Sequence, residues 1–314
     1  MPDMEFINLQ NTPDPSGIET EAVTFTSAGV TLKGILYKPA RPRWTKLADK
    51  SGRFPAVIVT GAWTTVKEQM AGAYARELAV RGTIALAFDF TGWGESQGNR
   101  RYVEDPAVKT EDIHAAIAYF MTRDDVDSQN LCGLGICASS GYMAEAAADS
   151  KNLSKLALVA PWLHDPGMAV NIYGGDDAVD KLISASEASE QSDSPEILIA
   201  ASATDDTSVM FQAPYYTEEH RGLIPEYDNK FNVCSWKPWL TYNALSSASR
   251  LKKPTLLVGS EGMALPSGAA AYEQAVGVPV QKIWLADDIN QFDFYDRKDI
   301  VTTVLDAVTE FCHN

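Results

Sequence analysis

Six short, nearly continuous apolar runs constrain the fold of this chain more than any other feature of its sequence. They are FPAVIVTG, TIALAFDF, NLCGLGIC, KLALVAPW, PTLLVGSEG and QKIWLADD. Such runs are typical of parallel strands, because a strand that is covered on both faces exposes no side chain to solvent. Amphipathic segments at 66–81, 106–122, 138–149, 266–277 and 297–312 predict helices. The alternation predicts a doubly wound, mostly parallel α/β sheet with crossover helices.

Two parts of the chain depart from this alternation. After a polar arm at residues 1–20, AVTFTSAGVTLKGILYKPA alternates apolar and polar residues and predicts an antiparallel hairpin. Residues 165–250 contain no comparable strand but hold the serine-rich stretch SASEASEQSDSPE and a cluster of aromatic residues. We interpret 165–250 as a helical cap insertion over the site, and 21–164 with 251–314 as the core.

Composition narrows the class of protein. The 314 residues, 45% of them hydrophobic, suffice for one large core, and the net charge of -16 without a basic run disfavours nucleic acids and anionic membranes as partners. The four cysteines show no CxxC spacing, so neither a metal site nor a disulfide framework is predicted. Because the first residues lack an apolar signal region and no run reaches the ~20 residues of a membrane span, we expect a soluble, cytoplasmic protein.

The segment NLCGLGICASSGYMA carries the clearest chemical signal. Between a predicted strand and a predicted helix it reads small–x–Cys137–x–small, with Gly135 and Ser139 as the small residues. A nucleophile on a sharp strand-to-helix turn needs this spacing, because the turn crowds the positions two before and two after it. A second register, with Ser139 as the nucleophile, stays open, whereas Ser140 is excluded because Tyr142 would stand at a small position.

Cys137 is therefore the predicted nucleophile. We expect the N-terminus of the following helix to lower the pKa of its thiol and make it more reactive than Cys132, Cys234 or Cys312. The alternative is a small, buried and inert cysteine, which is common in proteins.

The elbow resembles the GxCxGGGY segment of the cysteine-containing α/β-hydrolases related to dienelactone hydrolase. The YcjY-like (X-Pro dipeptidyl-peptidase-like) group is the nearer resemblance, since FDFTGWGESQG, VKTEDIHAAIAYF and QFDFYD are also similar to segments of that group. The resemblance covers about residues 20–160 and 250–314 and implies an α/β-hydrolase fold.

The resemblance also suggests the remaining catalytic groups. The acid position falls on Glu261, and Gln291 stands where the group has its histidine, so the usual general base is absent. His164, after the strand KLALVAPW, is the best alternative base, and a structural role in the cap hinge is equally open. The oxyanion hole should combine the backbone N–H of Ala138 with that of Ala62 or Trp63.

These residues together predict an enzyme that transfers the acyl group of a small-molecule ester, thioester or lactone through Cys137. We expect Trp63, Trp162, Trp236 and Asp293 to contact the substrate, and we expect no cofactor or metal; a homodimer is left open. Two alternatives stay open as well. One is a non-hydrolytic enzyme of secondary metabolism that forms or cleaves C–C bonds, cyclises or dehydrates; the other is a catalytically inactive binding protein.

Overall fold

A computed structural model describes residues 4–9, 17–40 and 48–314 of the chain. The strands in these residues are β1 (Ile18–Ser27), β2 (Val30–Pro39), β3 (Phe54–Thr60), β4 (Ile84–Phe88), β5 (Val126–Ile136), β6 (Lys155–Val159), β7 (Ile197–Ile199), β8 (Ala201–Ser202), β9 (Met210–Phe211), β10 (Lys230–Asn232), β11 (Thr255–Gly259) and β12 (Val280–Trp284). The α-helices are α1 (Met70–Val80), α2 (Pro106–Met121), α3 (Ser139–Asp149), α4 (Pro166–Ile172), α5 (Asp176–Glu190), α6 (Pro214–Thr217), α7 (Trp236–Leu240), α8 (Pro266–Ala275), α9 (Asp293–Asp296) and α10 (Lys298–His313).

Eight strands form the main sheet in the order β1-β2-β4-β3-β5-β6-β11-β12. β2 pairs antiparallel with both β1 and β4, and the other neighbours pair parallel. The predicted fold class, a doubly wound and mostly parallel α/β sheet that begins with an antiparallel hairpin, is confirmed. All six apolar runs contain strands of this sheet.

Burial explains why the apolar runs form the middle of the sheet. Every residue of β3 and β4 is buried, whereas β1 alternates exposed and buried positions because one of its faces meets solvent. Helix α2 starts where the sequence provides a cap, since the Asp105 side chain accepts hydrogen bonds from the N–H groups of Ala107 and Val108 and Pro106 occupies the first turn.

The segment between β6 and β11 contains α4 to α7, and we keep the name cap for its residues 165–250. Two pairs of short strands, β7 with β10 and β8 with β9, also lie in it. The serine-rich stretch is helical up to Glu190, where α5 ends. Ser186 is buried there and its hydroxyl donates to the Cys234 carbonyl at 2.8 Å, so a hydroxyl rather than an apolar side chain anchors this part of the cap.

Part of the predicted N-terminal arm lies outside the described residues. In the described part, the Ile7 N–H donates to the Asp296 carbonyl at 2.7 Å, and the Asn8 amide donates to the Arg221 carbonyl. Residues 4–9 therefore contact both the cap and the C-terminal segment. Within the described ranges, no helix combines the length and apolarity that a membrane span requires.

Candidate active site

Cys137 occupies a strained turn between β5 and α3. Its φ is 57°, in the left-handed region that costs a residue other than glycine about 1–3 kcal/mol. Backbone hydrogen bonds hold the turn: the Cys137 N–H donates to the Val159 carbonyl, and the Cys137 carbonyl accepts from the N–H groups of Ser140 and Trp162, at 3.0–3.1 Å. This is the backbone geometry that a nucleophile elbow requires.

The surroundings of Ser139 favour the Cys137 register over the alternative. Ser139 is the first residue of α3 and is buried; its hydroxyl donates to the Thr60 carbonyl at 2.9 Å and accepts from the Ile136 N–H at 3.2 Å. A Cβ on Gly135 would come within 2.7 Å of the Ser140 Cα, which explains why the position two before Cys137 is a glycine. The Ser139 hydroxyl therefore links the backbones of β3 and β5 through hydrogen bonds and does not face the substrate.

A cavity of about 620 Å³ opens above Cys137, between the carboxyl end of the sheet and the cap. Ligand sites of open α/β sheets lie at this edge. The described residues that line it are Trp63, Cys137, Ala138, Trp162, Ile172, Tyr173, Val209, Met210, Phe211, Ala213, Pro214, Tyr216, Arg221, Trp239, Gly262, Ala264, Asn290, Gln291, Phe292 and Tyr295. None of these lining residues is an aspartate, glutamate or histidine.

Burial dominates the electrostatics of the Cys137 thiol. Loss of hydration raises its pKa, and the negative charge of Glu104 acts in the same direction. Hydrogen bonds from the Tyr295 hydroxyl and from the backbone N–H groups of Ala138 and Trp63 oppose the rise but do not cancel it. The predicted lowering of this pKa is therefore wrong: the helix N-terminus follows the cysteine, but desolvation outweighs it.

The same contacts distinguish between the two candidates for the second oxyanion donor. The N–H groups of Trp63 and Ala138 both act to lower the pKa of the Cys137 thiol. The N–H of Ala62 instead points to the Met70 sulfur at 3.4 Å. The geometry thus favours Ala138 with Trp63 and leaves Ala62 with a structural contact.

Gln291 lines the cavity and is held at both ends of its amide. Its Oε1 accepts from the Ala264 N–H at 2.9 Å, and its Nε2 donates to the Ala160 carbonyl at 2.9 Å and to the Tyr295 hydroxyl at 3.1 Å. Glu261 is exposed, and its Oε1 accepts from the Trp284 indole at 2.8 Å. The structure therefore joins Gln291 to Cys137 through Tyr295 and does not bring Glu261 into the cavity.

His164 is buried beside the cavity wall but does not line the cavity. Its Nδ1 accepts from the Trp162 indole N–H at 3.1 Å, so Nε2 carries the proton and donates to the Trp239 carbonyl at 2.9 Å. Burial also lowers the pKa of His164. Both ring nitrogens of this neutral imidazole are occupied, and the structure does not bring His164 to Cys137.

Of the four residues predicted to contact the substrate, two line the cavity and two do not. Trp63 and Trp162 line the cavity. Trp236 packs behind Trp63, with ring centroids 6.0 Å apart, and does not line it. Asp293 does not line the cavity either. Its carboxylate accepts hydrogen bonds from the backbone and side-chain nitrogens of Asn290, at 2.8 and 2.7 Å.

Sequence reasoning missed Tyr295. The segment QFDFYD places it four residues after Gln291, and side chains at this spacing lie next to each other in helical backbone, so the signal was present.

Sequence reasoning also missed a fully buried ion pair, Glu104 with Lys109, whose charged atoms are 2.6 Å apart. Glu104 also accepts from the Tyr142 hydroxyl at 2.9 Å and from the Thr64 N–H at 3.2 Å. One carboxylate thus fixes both α3 and the loop that carries the Trp63 N–H.

The described residues contain no group of three or more His, Cys, Asp or Glu side chains that could hold a metal ion. The charged groups near the cavity are engaged with each other: Arg221 forms a two-point ion pair with Asp296, with N–O distances of 2.8 and 2.6 Å.

Two curated proteins illustrate what the sequence is similar to. The uncharacterized protein YcjY of Escherichia coli (strain K12) is 28% identical over 311 residues, which cover 92% of this chain and 97% of that protein. A thiohydrolase of Eupenicillium brefeldianum is 30% identical over 136 residues, 43% of this chain and 41% of that protein. No protein-family model matches the chain.

Solved structures share the fold over nearly the whole chain. The hypothetical protein PA2218 from Pseudomonas aeruginosa superposes with a TM-score of 0.82 at 23% identity and covers 99% of both chains. The alpha/beta hydrolase GrgF from Penicillium sp. sh18 has a TM-score of 0.75 at 20% identity, covering 94% of this chain and 98% of that one. Together with the sheet topology, these likenesses show that the chain has the α/β-hydrolase fold of these structures.

Proposed function

We propose that this chain is an acyl-transfer enzyme that forms a thioester between Cys137 and the acyl group of an ester, thioester or lactone. One observation carries the proposal. Cys137, presented by a strained left-handed turn, lines a cavity together with Ala138 and Trp63, whose N–H groups act to lower the pKa of its thiol. Those donors are placed to hold the negative charge of a tetrahedral intermediate.

In the proposed reaction, the Cys137 sulfur adds to the carbonyl carbon, and the carbonyl oxygen becomes an oxyanion. The bond to the leaving oxygen or sulfur then breaks and leaves the acyl group on Cys137. An oxyanion hole of this kind is typically worth ~10²–10³-fold in rate for each donor.

The cavity wall suggests the kind of acyl group. It is mostly aromatic and aliphatic, and the two lining residues Ile172 and Phe211 are also exposed, at 40% and 45%, so they form an apolar rim. Arg221, the one charged residue among the described lining residues, is already neutralised by Asp296. We infer an uncharged, largely apolar acyl group. The names thiohydrolase and alpha/beta hydrolase, borne by two similar proteins, support acyl chemistry of this type.

The experiment measures a covalent adduct. A 4-nitrophenyl ester of an apolar acid should add one acyl group per chain, and peptide mapping should locate it on Cys137. Cys234→Ala is the matched control, because Cys234 is also buried but does not line the cavity. An adduct that forms equally on Cys137→Ala, or no adduct on the unmodified protein, would contradict the proposal.

A second candidate is a transferase or other non-hydrolytic enzyme that passes the acyl group to an acceptor other than water. It is favoured by Gln291, whose amide cannot take a proton at neutral pH, and by the absence of Asp, Glu and His from the described lining residues. General-base assistance is typically worth ~10²–10⁴-fold, so the thioester should hydrolyse slowly.

The lifetime of the adduct separates hydrolysis from transfer. Gln291→His should shorten it, with Gln291→Asn as the control that keeps an amide. Rapid hydrolysis in the unmodified protein favours a plain hydrolase; a stable adduct that added amines or thiols discharge favours a transferase.

A further inference from the structure

We propose that Tyr295 is a catalytic residue whose hydroxyl relays the proton between the Cys137 thiol and the leaving group. This inference rests on the proposed acyl transfer and deepens it, because it names the group that performs the work of the missing imidazole. Three features of the site carry it: Tyr295 and Cys137 line the same cavity, Gln291 orients the Tyr295 hydroxyl, and the hydroxyls of the other two lining tyrosines, Tyr173 and Tyr216, are hydrogen-bonded to Trp239 and Trp63.

The thiol needs a proton acceptor, because burial keeps it neutral. Tyr295 and Cys137 line the same cavity, and the Tyr295 hydroxyl acts on the Cys137 sulfur as a donor that opposes the rise in the thiol pKa. The described lining residues contain no aspartate, glutamate or histidine, and both ring nitrogens of His164 are occupied. Among the described lining residues, Tyr295 is therefore the side chain best placed to exchange a proton with the sulfur and with substrate.

Gln291 fixes the direction of the Tyr295 hydroxyl. The Gln291 Nε2 donates to the Tyr295 oxygen at 3.1 Å, while the other contacts of this amide hold it at 2.9 Å to two backbone groups. An oxygen that accepts from Gln291 keeps its second lone pair and its own proton for other partners, so it can accept from the thiol while it donates to the leaving group. The Tyr295 ring is 2% exposed and packs edge-on against Tyr215 with centroids 5.1 Å apart, so its position is also fixed.

The proton transfers of this relay balance, and the Tyr295 phenol stays uncharged before and after the reaction. As the sulfur bonds to the carbonyl carbon, the Tyr295 oxygen takes the thiol proton and gives its own proton to the oxygen or sulfur of the leaving group in one concerted transfer; the protonated leaving group departs when the tetrahedral intermediate collapses. The products are the Cys137 thioester and the protonated leaving group, and Tyr295 ends with one proton as it began. Because the two transfers are coupled, the pKa of Tyr295, which burial raises well above its usual value, does not prevent them. Discharge of the thioester runs the same steps in reverse.

The test compares two esters of the same acid, an ethyl ester and a 4-nitrophenyl ester, in single-turnover acylation of Cys137. Tyr295→Phe should slow acylation by the ethyl ester ~10²–10⁴-fold, because an alkoxide must be protonated as it leaves. It should slow acylation by the nitrophenyl ester less, because nitrophenolate leaves without a proton and only one of the two proton transfers is then lost. Tyr272→Phe, which removes another buried hydroxyl, bonded to Ser247 and outside the cavity, should change neither rate.

Equal losses with both esters, or no loss with either, would overturn the relay and leave Tyr295 a structural residue. The unmodified protein provides a second measurement that does not depend on the folding of a variant. Its acylation by the ethyl ester in mixtures of light and heavy water should show two protons in flight; a one-proton dependence overturns the relay while the acyl transfer stands. If neither ester acylates the unmodified protein, the proposed function itself fails, and the relay fails with it.

Discussion

The Cys137 thiol is subject to two opposing effects within a few ångströms. The start of α3 and three hydrogen-bond donors favour a thiolate, whereas burial beneath the cap favours the neutral thiol, and burial prevails. The proposed nucleophile therefore rests neutral and must lose its proton during the proposed reaction. We infer that its activation depends on neighbouring side chains rather than on the helix.

This balance predicts the pH dependence of alkylation. Since its pKa is raised, Cys137 should react slowly with iodoacetamide at neutral pH and accelerate only above the range of an ordinary cysteine, ~8.5. It should still react before Cys132, Cys234 and Cys312, which are buried and do not line the cavity. Peptide mapping across the pH range checks both points. A rate that levels off below the pKa of an ordinary cysteine would show that a thiolate is present at rest.

At the scale of elements, the loop after β3, helix α3 and helix α2 meet at Glu104. Its carboxylate receives the Thr64 N–H, the Tyr142 hydroxyl and the Lys109 ammonium group, and its own N–H donates to the Ser235 hydroxyl of the cap at 2.8 Å. Thr64 has a φ of 63°, so the loop that carries the Trp63 N–H is itself strained and depends on this anchor. Glu104 therefore acts on the oxyanion hole through the backbone.

Glu104→Gln should lower the free energy of unfolding by about 3–5 kcal/mol, because it leaves the Lys109 charge buried without a counter-charge. Adding Lys109→Met should restore much of that loss. The matched control is Glu187→Gln, which breaks the exposed pair with Lys237 and should leave the free energy of unfolding nearly unchanged, because solvent screens this pair. Urea unfolding measures all three variants; equal effects of Glu104→Gln and Glu187→Gln would show that the buried pair contributes little.

For the whole molecule, the active cavity exists only where the cap closes over the carboxyl end of the sheet. The turns that follow β3 and β5 supply Trp63, Cys137 and Ala138, while the cap supplies much of the apolar wall. Residues 191–194, just after α5, are exposed and non-helical, in contrast to the preceding part of the serine-rich stretch, which Ser186 and Ser189 anchor.

Limited proteolysis should therefore cut the described part of the chain first near residues 191–196, and the strands of the main sheet last. An apolar acyl group on Cys137 should slow this cleavage if the cap packs on it. The comparison of acylated and free protein by mass spectrometry checks both expectations. First cuts within the sheet would contradict the division into core and cap.

The fold and the turn that carries Cys137 could be predicted from patterns among residues that are close together in the sequence. Continuous apolar runs predict buried parallel strands because burial on both faces leaves no polar position, and the spacing around Cys137 follows from crowding within five consecutive residues, as Gly135 shows. The position of Gln291 also followed from its order in the chain. These features depend on neighbours along the backbone, so a single sequence contains them.

Only the tertiary structure decided how the site works. The direction of the Cys137 pKa shift, the use of the Trp63 rather than the Ala62 N–H, and the contact between Cys137 and Tyr295 each depend on segments that are far apart in sequence. The same holds for His164, which the order of the chain places near the site but whose ring nitrogens are both bonded to neighbouring tryptophans. Desolvation and hydrogen-bond direction depend on which side chains enclose an atom, and that enclosure forms only when the cap and the C-terminal segment pack against the sheet.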